Sequence, residues 1–253
     1  MKKIFFTAAL IAFLTVMYAG YGLKVVNKNL VTVKSDSGFA VVELFTSEGC
    51  SSCPPADKAV ANLLSKNNDN IYILSYHVDY WNRLGWKDIF SKAEFSERQK
   101  RYASHLSLES VYTPQVIVNG STEFVGSDEN KLNTSISNGL KNKGNSDLSI
   151  SSSKANNIVT IFYDINEQNI VILNIALVQP EATSSVKRGE NGGKVLHHIN
   201  IVREFKTVDA KGKGRISIEI PNELSGTMLE LIAFTQAKNN FHILGAAKKV
   251  LPI

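Results

Sequence analysis

Cysteine is almost missing from this chain of 253 residues, which has two, Cys50 and Cys53. A disulfide-built scaffold is therefore excluded, because small secreted domains of that kind need several bridges. The 16 glycines and 6 prolines are too few for a collagen-like or low-complexity chain. Charge of one sign is also lacking: 28 basic residues face 23 acidic ones, and the net charge is +5. The excess is scattered. No dense basic stripe with interleaved aromatics occurs, so nothing in the sequence points to nucleic acid as a partner. Beyond the N-terminal segment no run of 18 apolar residues occurs, so no later stretch reads as a membrane span. With 43% hydrophobic residues the chain has enough apolar side chains to build a core. Its length suits one or two domains.

The N-terminal segment differs from the rest. Met1-Lys2-Lys3 is a basic start, Ile4 to Tyr18 is apolar except for Thr7 and Thr15, and the small residues Ala19, Gly20 and Gly22 follow. That order is the pattern of an export signal. Residues 1–22 are read as a signal peptide cut after Gly22 or, if the apolar stretch runs on over residues 4–26, as an uncleaved signal anchor of about 20 residues. No cysteine follows at once, which argues against a lipid-modified N-terminus. Removing Lys2 and Lys3 with the leader leaves 26 basic against 23 acidic residues, a nearly neutral protein. Residues 23–37 are polar and read as a linker. The expected location is periplasmic or extracellular, with membrane contact only through the N-terminal segment if it stays uncut.

From Phe39 the pattern becomes regular. Ala40–Phe45 is a short apolar run of strand formers. Pro54 and Pro55 sit where a first helical turn tolerates proline, and Val60, Leu63 and Leu64 follow at helical spacing over Asp57–Lys66. Ile71–Tyr76 reads as a strand, Ser91–His105 as a helix and Gln115–Val118 as a strand. Asn119-Gly120 is the strongest short hairpin signal, with Phe124 and Val125 on the return strand. Ser127 is the expected cap of a last helix bearing Asp128 and Glu129 in its first turn. After the polar junction 142–147 the character changes. Leu148–Ile150, Ile158–Tyr163, Ile170–Val178, Ile199–Phe205, Ile216–Ile220, Met228–Thr235 and Ala246–Val250 read as short strands with no helix between them. The expectation is an α/β domain over residues 38–143 followed by an all-β sandwich over 146–253.

Cys50-Ser51-Ser52-Cys53 falls between a strand and a helix, and that placement is the informative feature. A cysteine at a helix start meets unpaired backbone N–H groups and the positive end of the helix dipole. Both favour the thiolate, which is the nucleophile in disulfide exchange. The dipole supplies about 1–2 kcal/mol at best, roughly one pKa unit. Cys50 is the expected nucleophile and Cys53 the resolving thiol. Glu48, two residues upstream, opposes the thiolate if it points inward. A structural disulfide over so short a loop would add little chain-entropy stabilisation. A zinc site would want two further ligands; the remaining metal reading is copper on Cys50, Cys53 and His77. No cofactor is called for.

Other residues gather around this motif. Pro114 precedes a strand expected to start inside the core, where it demands a special turn; the cis form of Thr113-Pro114 is the favoured reading beside the cysteine turn. The backbone of Thr113 could then pair with an extended substrate. His77 ends the second strand at the same sheet end as the cysteine loop, a place where functional groups collect. It is either a proton carrier or a residue that fixes the Trp81 loop. Trp81 and Trp86 either wall a substrate site or pack over their own loop. The charged, glycine-containing loop Thr183–Lys194 is long enough to suggest function, and the expectation is that it reaches the cysteine site. His197 and His198 alternate faces if they begin a strand, so they cannot share one metal.

The order strand, CxxC at a helix start, strand, helix, X-Pro, hairpin and helix resembles the thioredoxin-like fold over residues 38–143. Four stretches resemble the family known as domain of unknown function 1223: Val42 to Asp57; His77-Val78-Asp79-Tyr80-Trp81 with Leu84-Gly85-Trp86-Lys87-Asp88; Tyr112-Thr113-Pro114-Gln115; and Gly189-Glu190-Asn191-Gly192-Gly193 with His198, Asn200 and Arg203. The resemblance implies a secreted or periplasmic thioredoxin-like protein and no particular substrate. Ser51-Ser52 stands where classical thioredoxins have Gly-Pro, so no redox potential carries over. The expected function is thiol–disulfide exchange with protein thiols or disulfides. The alternatives are a copper-binding module on the same cysteines and a non-catalytic interaction protein.

Overall fold

The computed structural model describes residues 31–33, 38–64, 68–144 and 146–251. The leader or anchor read at residues 1–22, and most of the linker, lie outside the described residues. Among the described residues no helix is long and apolar enough to cross a membrane.

The chain first forms β1 (Val31–Val33), β2 (Ala40–Thr46), α1 (Cys53–Leu64) and β3 (Ile71–His77). A 3-10 turn at Asn82–Leu84 leads to α2 (Ala93–His105), β4 (Gln115–Val118), β5 (Thr122–Val125) and α3 (Glu129–Lys141). Strands then dominate: β6 (Asp147–Ala155), β7 (Ile158–Asn166), β8 (Val171–Ser185), β9 (Val195–Ala210), β10 (Gly212–Glu219), β11 (Leu229–Gln236) and β12 (Ile243–Leu251).

Local chemistry explains the elements that place the site. Pro54 and Pro55 open α1, where their missing N–H groups leave no helical bond unmade. Ala56, Ala59, Val60 and Leu63 then turn one face of α1 into the core with Ala40, Val42 and Leu44 of β2. The alternate residues Val41 and Phe45 face the other way, against Tyr72, Leu74 and Tyr76 of β3 and Phe95 and Tyr102 of α2. Every residue of β2 is buried, as befits a strand covered on both faces. Asn119 and Gly120 both adopt positive φ, 49° and 73°, the primed-turn geometry that joins β4 to β5. The cap of α3 is Asp128 rather than the expected Ser127; its carboxylate accepts from the Lys131 N–H at 3.0 Å.

The sheets overturn the expected thioredoxin-like domain followed by a separate all-β sandwich. One mixed sheet of eight strands, ordered β12-β11-β8-β9-β3-β2-β4-β5, carries strands from both halves of the chain, and a sheet of four, β1-β6-β7-β10, packs on its far end. The described chain is mostly strand, with three α-helices. The junction is the parallel pairing of β3 with β9 at Ser75 and Ile201. The physical reason is strand length. The sequence reading ended one strand at Val178 and began the next at Ile199, but β8 runs to Ser185 and β9 starts at Val195. Pro180, which has no N–H, falls between the paired positions Gln179 and Glu181 without ending the ladder. Asn200 opposite it takes φ 47°, and its side-chain amide donates to the Ile73 carbonyl of β3 at 3.1 Å. This bond ties the long hairpin to the edge of β3 that the sequence reading had left open.

Candidate functional site

Strand β2 ends at Thr46, and residues 47–52 turn over the sheet into α1. The turn is held from within: the Cys50 N–H donates to Ser47 O at 3.1 Å, and the Cys53 N–H donates to Cys50 O at 3.2 Å. Gly49 lies against Trp81, where a Cβ on the glycine would come within 3.1 Å of the Trp81 Cβ. Both cysteines are free thiols and both are buried, Cys50 at 1% exposure and Cys53 at 0%.

The two sulfurs are chemically unequal. The Cys53 thiol donates to the Cys50 sulfur and is the largest influence drawing the Cys50 thiol down to about 7; burial opposes it, while Thr113 and the N–H groups of Ser52 and Cys53 assist. Those amides belong to the turn that opens α1, where backbone N–H groups gather without partners from the helix itself. Cys53 moves the other way. Burial pushes its thiol far above the ordinary range, and the hydrogen bond to Cys50, the charge of Cys50 and the charge of Asp57 push further. One sulfur is thus set to be a thiolate near neutral pH while its neighbour keeps its proton.

Thr113 and Pro114 stand opposite. Their peptide bond is cis, and Cys50 Sγ lies 3.7 Å from Thr113 O. Trp81 Nε1 donates to Thr113 Oγ1 at 2.8 Å, and Trp86 Nε1 donates to Glu48 Oε2 at 2.6 Å. Both indoles are half-buried, and both use their N–H groups to brace the turn. On the same loop Leu84 and Ile89 are exposed, at 52% and 64%.

Glu48 does point inward, fully buried, but toward partners other than Cys50. Its carboxylate accepts from Trp86 and from Ser184 Oγ, and it lies 3.5 Å from His198 Nε2, an ion-pair distance that is not a directed hydrogen bond. Its own N–H donates to Asp88 Oδ2 at 2.9 Å, and the same oxygen meets His77 Nδ1 at 2.7 Å. Burial disfavours both charges of this pair, yet each partner outweighs it: Asp88 holds His77 above the ordinary imidazole value, and His77 with two backbone N–H groups holds Asp88 below the usual carboxylate range. The rings of His77 and His198 meet edge to face with centroids 4.8 Å apart.

The β8–β9 loop reaches the cysteines, as its length suggested. The Asn191 side chain, fully buried, donates to Glu48 O and to Cys50 O, each at 2.9 Å. Glu190 Oε2 accepts from Ser51 N at 3.0 Å and from Ser51 Oγ at 2.7 Å. His197 is exposed and His198 buried, the alternation expected of a strand start. Sequence reasoning named Cys50, Cys53, Thr113, Pro114, His77, Glu48, Trp81 and Trp86, and the fold brings all of them to one end of the large sheet. It gave no role to Asp57, Asp88, Ser184 or Asn191, and said of His198 only that it could not share a metal with His197. The inward half of the β9 alternation was the available signal for His198. Among the described residues no group of three His, Cys, Asp or Glu side chains is arranged to hold a metal ion.

Residues 41–236 match a family model described as a protein of unknown function (DUF1223). The chain belongs to the DUF1223 family. A crystal structure of protein AGR_C_4864 from Agrobacterium tumefaciens is similar to this DUF1223 chain, with 30% identity, 83% of this chain and 92% of that chain covered, and a TM-score of 0.60. A DUF3823 family protein from Bacteroides ovatus is similar at 16% identity over 41% of this chain and 54% of that one, with a TM-score of 0.28, too low to carry an argument. A comparison with curated proteins finds no match.

Proposed function

We propose that this DUF1223 protein is a thiol–disulfide exchange enzyme acting on protein thiols or disulfides through Cys50 and Cys53. The observation that carries the reading is the placement of two adjacent free thiols at the start of α1, with Cys50 Sγ 3.7 Å from Thr113 O; the surroundings draw Cys50 down to about 7 and push Cys53 upward. The Cys50 thiolate attacks one sulfur of a substrate disulfide. A bond forms between Cys50 Sγ and that sulfur, the substrate S–S bond breaks, and its electron pair leaves on the second sulfur as a thiolate that takes a proton from water. Cys53 then gives up its proton and attacks Cys50 Sγ. The mixed disulfide breaks, the first substrate sulfur leaves reduced, and the protein pair is left oxidised. Run backward, the oxidised pair makes a disulfide in a substrate dithiol. The direction is set by the potential of the pair, for which about 30 mV corresponds to about 1.4 kcal/mol.

Support comes from the surroundings as well. Thr113 O, beside the cis bond, offers a backbone acceptor next to the reacting sulfur. Leu84 and Ile89 offer exposed apolar side chains on the loop that carries Trp81 and Trp86. The compartment we propose is outside the cytoplasm, on the leader-like residues 4–18 and the oxidising surroundings that such a pair needs. The test is a Cys53→Ala variant incubated with glutathione disulfide. The expected product is a stable glutathione adduct on Cys50, found by mass spectrometry of the digested protein. Full retention of both thiols in native wild type and of the Cys50 thiol in the variant contradicts the reading.

A further inference from the structure

The loop between β3 and α2 is held in place without being covered. Asn82 accepts from the Asp88 N–H at 3.0 Å and donates to Ser91 Oγ at 2.9 Å. Ser91 Oγ donates to Asp88 O at 2.8 Å, and the Asp88 carboxylate accepts from the N–H groups of Glu48 and Phe90. Phe90 is buried, and Trp86 is tied to Glu48. Yet Leu84 and Ile89, two aliphatic side chains of this same loop, stay in solvent. The clefts between α1 and β9 and between α1 and β11, about 300 and 310 Å³, take in neither of them. Exposed apolar side chains rimmed by charge mark interaction sites.

The charge around Leu84 and Ile89 is of one sign. Residues 82–91 and the facing stretch 186–194 of the β8–β9 loop hold five cations, Arg83, Lys87, Lys187, Arg188 and Lys194, and two acids, Asp88 and Glu190. The two stretches meet at Gly189, where a Cβ would come within 3.4 Å of the Trp86 Cβ. Asp88 is buried and paired with His77. Glu190 accepts from Ser51, and Lys194 donates to Asn191. Arg83, Lys87, Lys187 and Arg188 are exposed and make no ion pair among the described residues.

We propose that this end of the molecule docks on an anionic lipid surface. Leu84 and Ile89 enter the boundary between headgroups and acyl chains, about 5–10 Å deep. Arg83, Lys87, Lys187 and Arg188 meet the lipid headgroup anions. The hydrogen bonds beneath the loop already hold it, so docking does not have to order it. Lipid fits the patch better than an acidic protein does. Protruding aliphatics enter a fluid layer as they stand, whereas a protein partner would have to bring a packed pocket for each. Docking does not depend on exchange at Cys50. Where both operate, the cysteine turn under these two loops is carried to thiols and disulfides displayed at a membrane.

Trp81 and Trp86 are the two tryptophans of the chain, and both lie on this loop, so tryptophan emission reports the loop and not the N-terminal segment. The experiment adds the full chain to vesicles of phosphatidylcholine alone or mixed equally with phosphatidylglycerol. Each kind is made with and without lipid brominated near the headgroup end of its acyl chains. Bromine should quench the emission in the mixed vesicles and not in phosphatidylcholine alone, and the quenching should fade as salt rises. Leu84→Ser combined with Ile89→Ser should abolish it. Removing one cation, as in Arg83→Gln or Arg188→Gln, should lower the ratio of docked to free loop about fivefold, read from the extent of quenching. All these side chains are exposed, so the variants leave the core intact. Equal emission from brominated and plain mixed vesicles overturns the proposal. So does quenching that is as strong on phosphatidylcholine alone, or that survives the double serine variant. An emission change on poly-glutamate with no response to vesicles assigns the patch to an acidic protein and overturns the lipid reading.

Discussion

At the scale of the residue, the site is an arrangement of buried charges that hold one another in place. Asp57 is the one whose burial is least offset. Its carboxyl is raised in the folded state above the ordinary value of 3.8. As pH climbs past that value the unfolded chain loses the proton first, so the folded state is progressively destabilised until its own carboxyl ionises. Asn at this position removes that loss. Thermal unfolding of Asp57→Asn at pH 8 should therefore show a gain of about 1–3 kcal/mol over wild type, the usual size of an imperfectly satisfied buried polar group. The two should converge near pH 4, and equal stability at both pH values would contradict the account. This residue escaped the sequence reading for a physical reason. An Asp in the second turn of a helix is unremarkable until a distant strand, β9, brings His198 against it. Cys50, Cys53, Thr113 and Pro114 were legible because backbone geometry near them is encoded locally, by a helix start and a proline. Glu48, by contrast, was named for a threat to the thiolate that Trp86 and Ser184 divert.

At the scale of the element, the β8–β9 hairpin is the cover of the cysteine site. Asn191 spans Glu48 O and Cys50 O, and Glu190 holds Ser51. Cys50 is 1% exposed, so the proposed exchange with a protein substrate requires the site to open, and lifting of this loop is the expected route. Asn191→Ala removes two buried hydrogen bonds, each worth about 0.5–1.5 kcal/mol, so opening should become roughly 5- to 160-fold more frequent by that arithmetic. Alkylation of Cys50 by a bulky maleimide should accelerate accordingly, while a small reagent such as iodoacetamide gains less. Equal rates in variant and wild type would show that the loop does not govern access. The reach of this loop was legible from its length and its glycines. The strands that carry it were not: Pro180 read as a stop, whereas in β8 it occupies a position that donates nothing to the ladder.

At the scale of the whole molecule, the large sheet joins two halves that the sequence seemed to keep apart. Strand β3 is buried at all seven positions, and Ala176, Val178, Val202, Ile232 and Phe234 from the later strands complete the core on its α2 face. Within that core Arg98 pairs with Glu43 at 2.6 Å and lies over the rings of Tyr102, Phe205 and Phe234. A fragment of residues 38–143 therefore loses one wall of its core and exposes the edge of β3. It should show no cooperative unfolding transition by circular dichroism, and a sharp transition would show that this segment folds alone. The alternation of strand and helix over these residues was readable from period and turn chemistry. The shared sheet was not, because β3 and β9 are far apart in sequence and a fully buried, mainly apolar strand looks the same whether its second neighbour comes from nearby or from across the chain.

The most direct measurement for the account is a pH titration of the Cys50 alkylation rate in the reduced protein, read by mass spectrometry of the Cys50 peptide. The account predicts an inflection near pH 7 that moves upward in Cys53→Ala, because the Cys53 thiol is the largest single influence holding Cys50 down. An inflection at the ordinary thiol value of about 8.5, unmoved by the Cys53→Ala change, would contradict it.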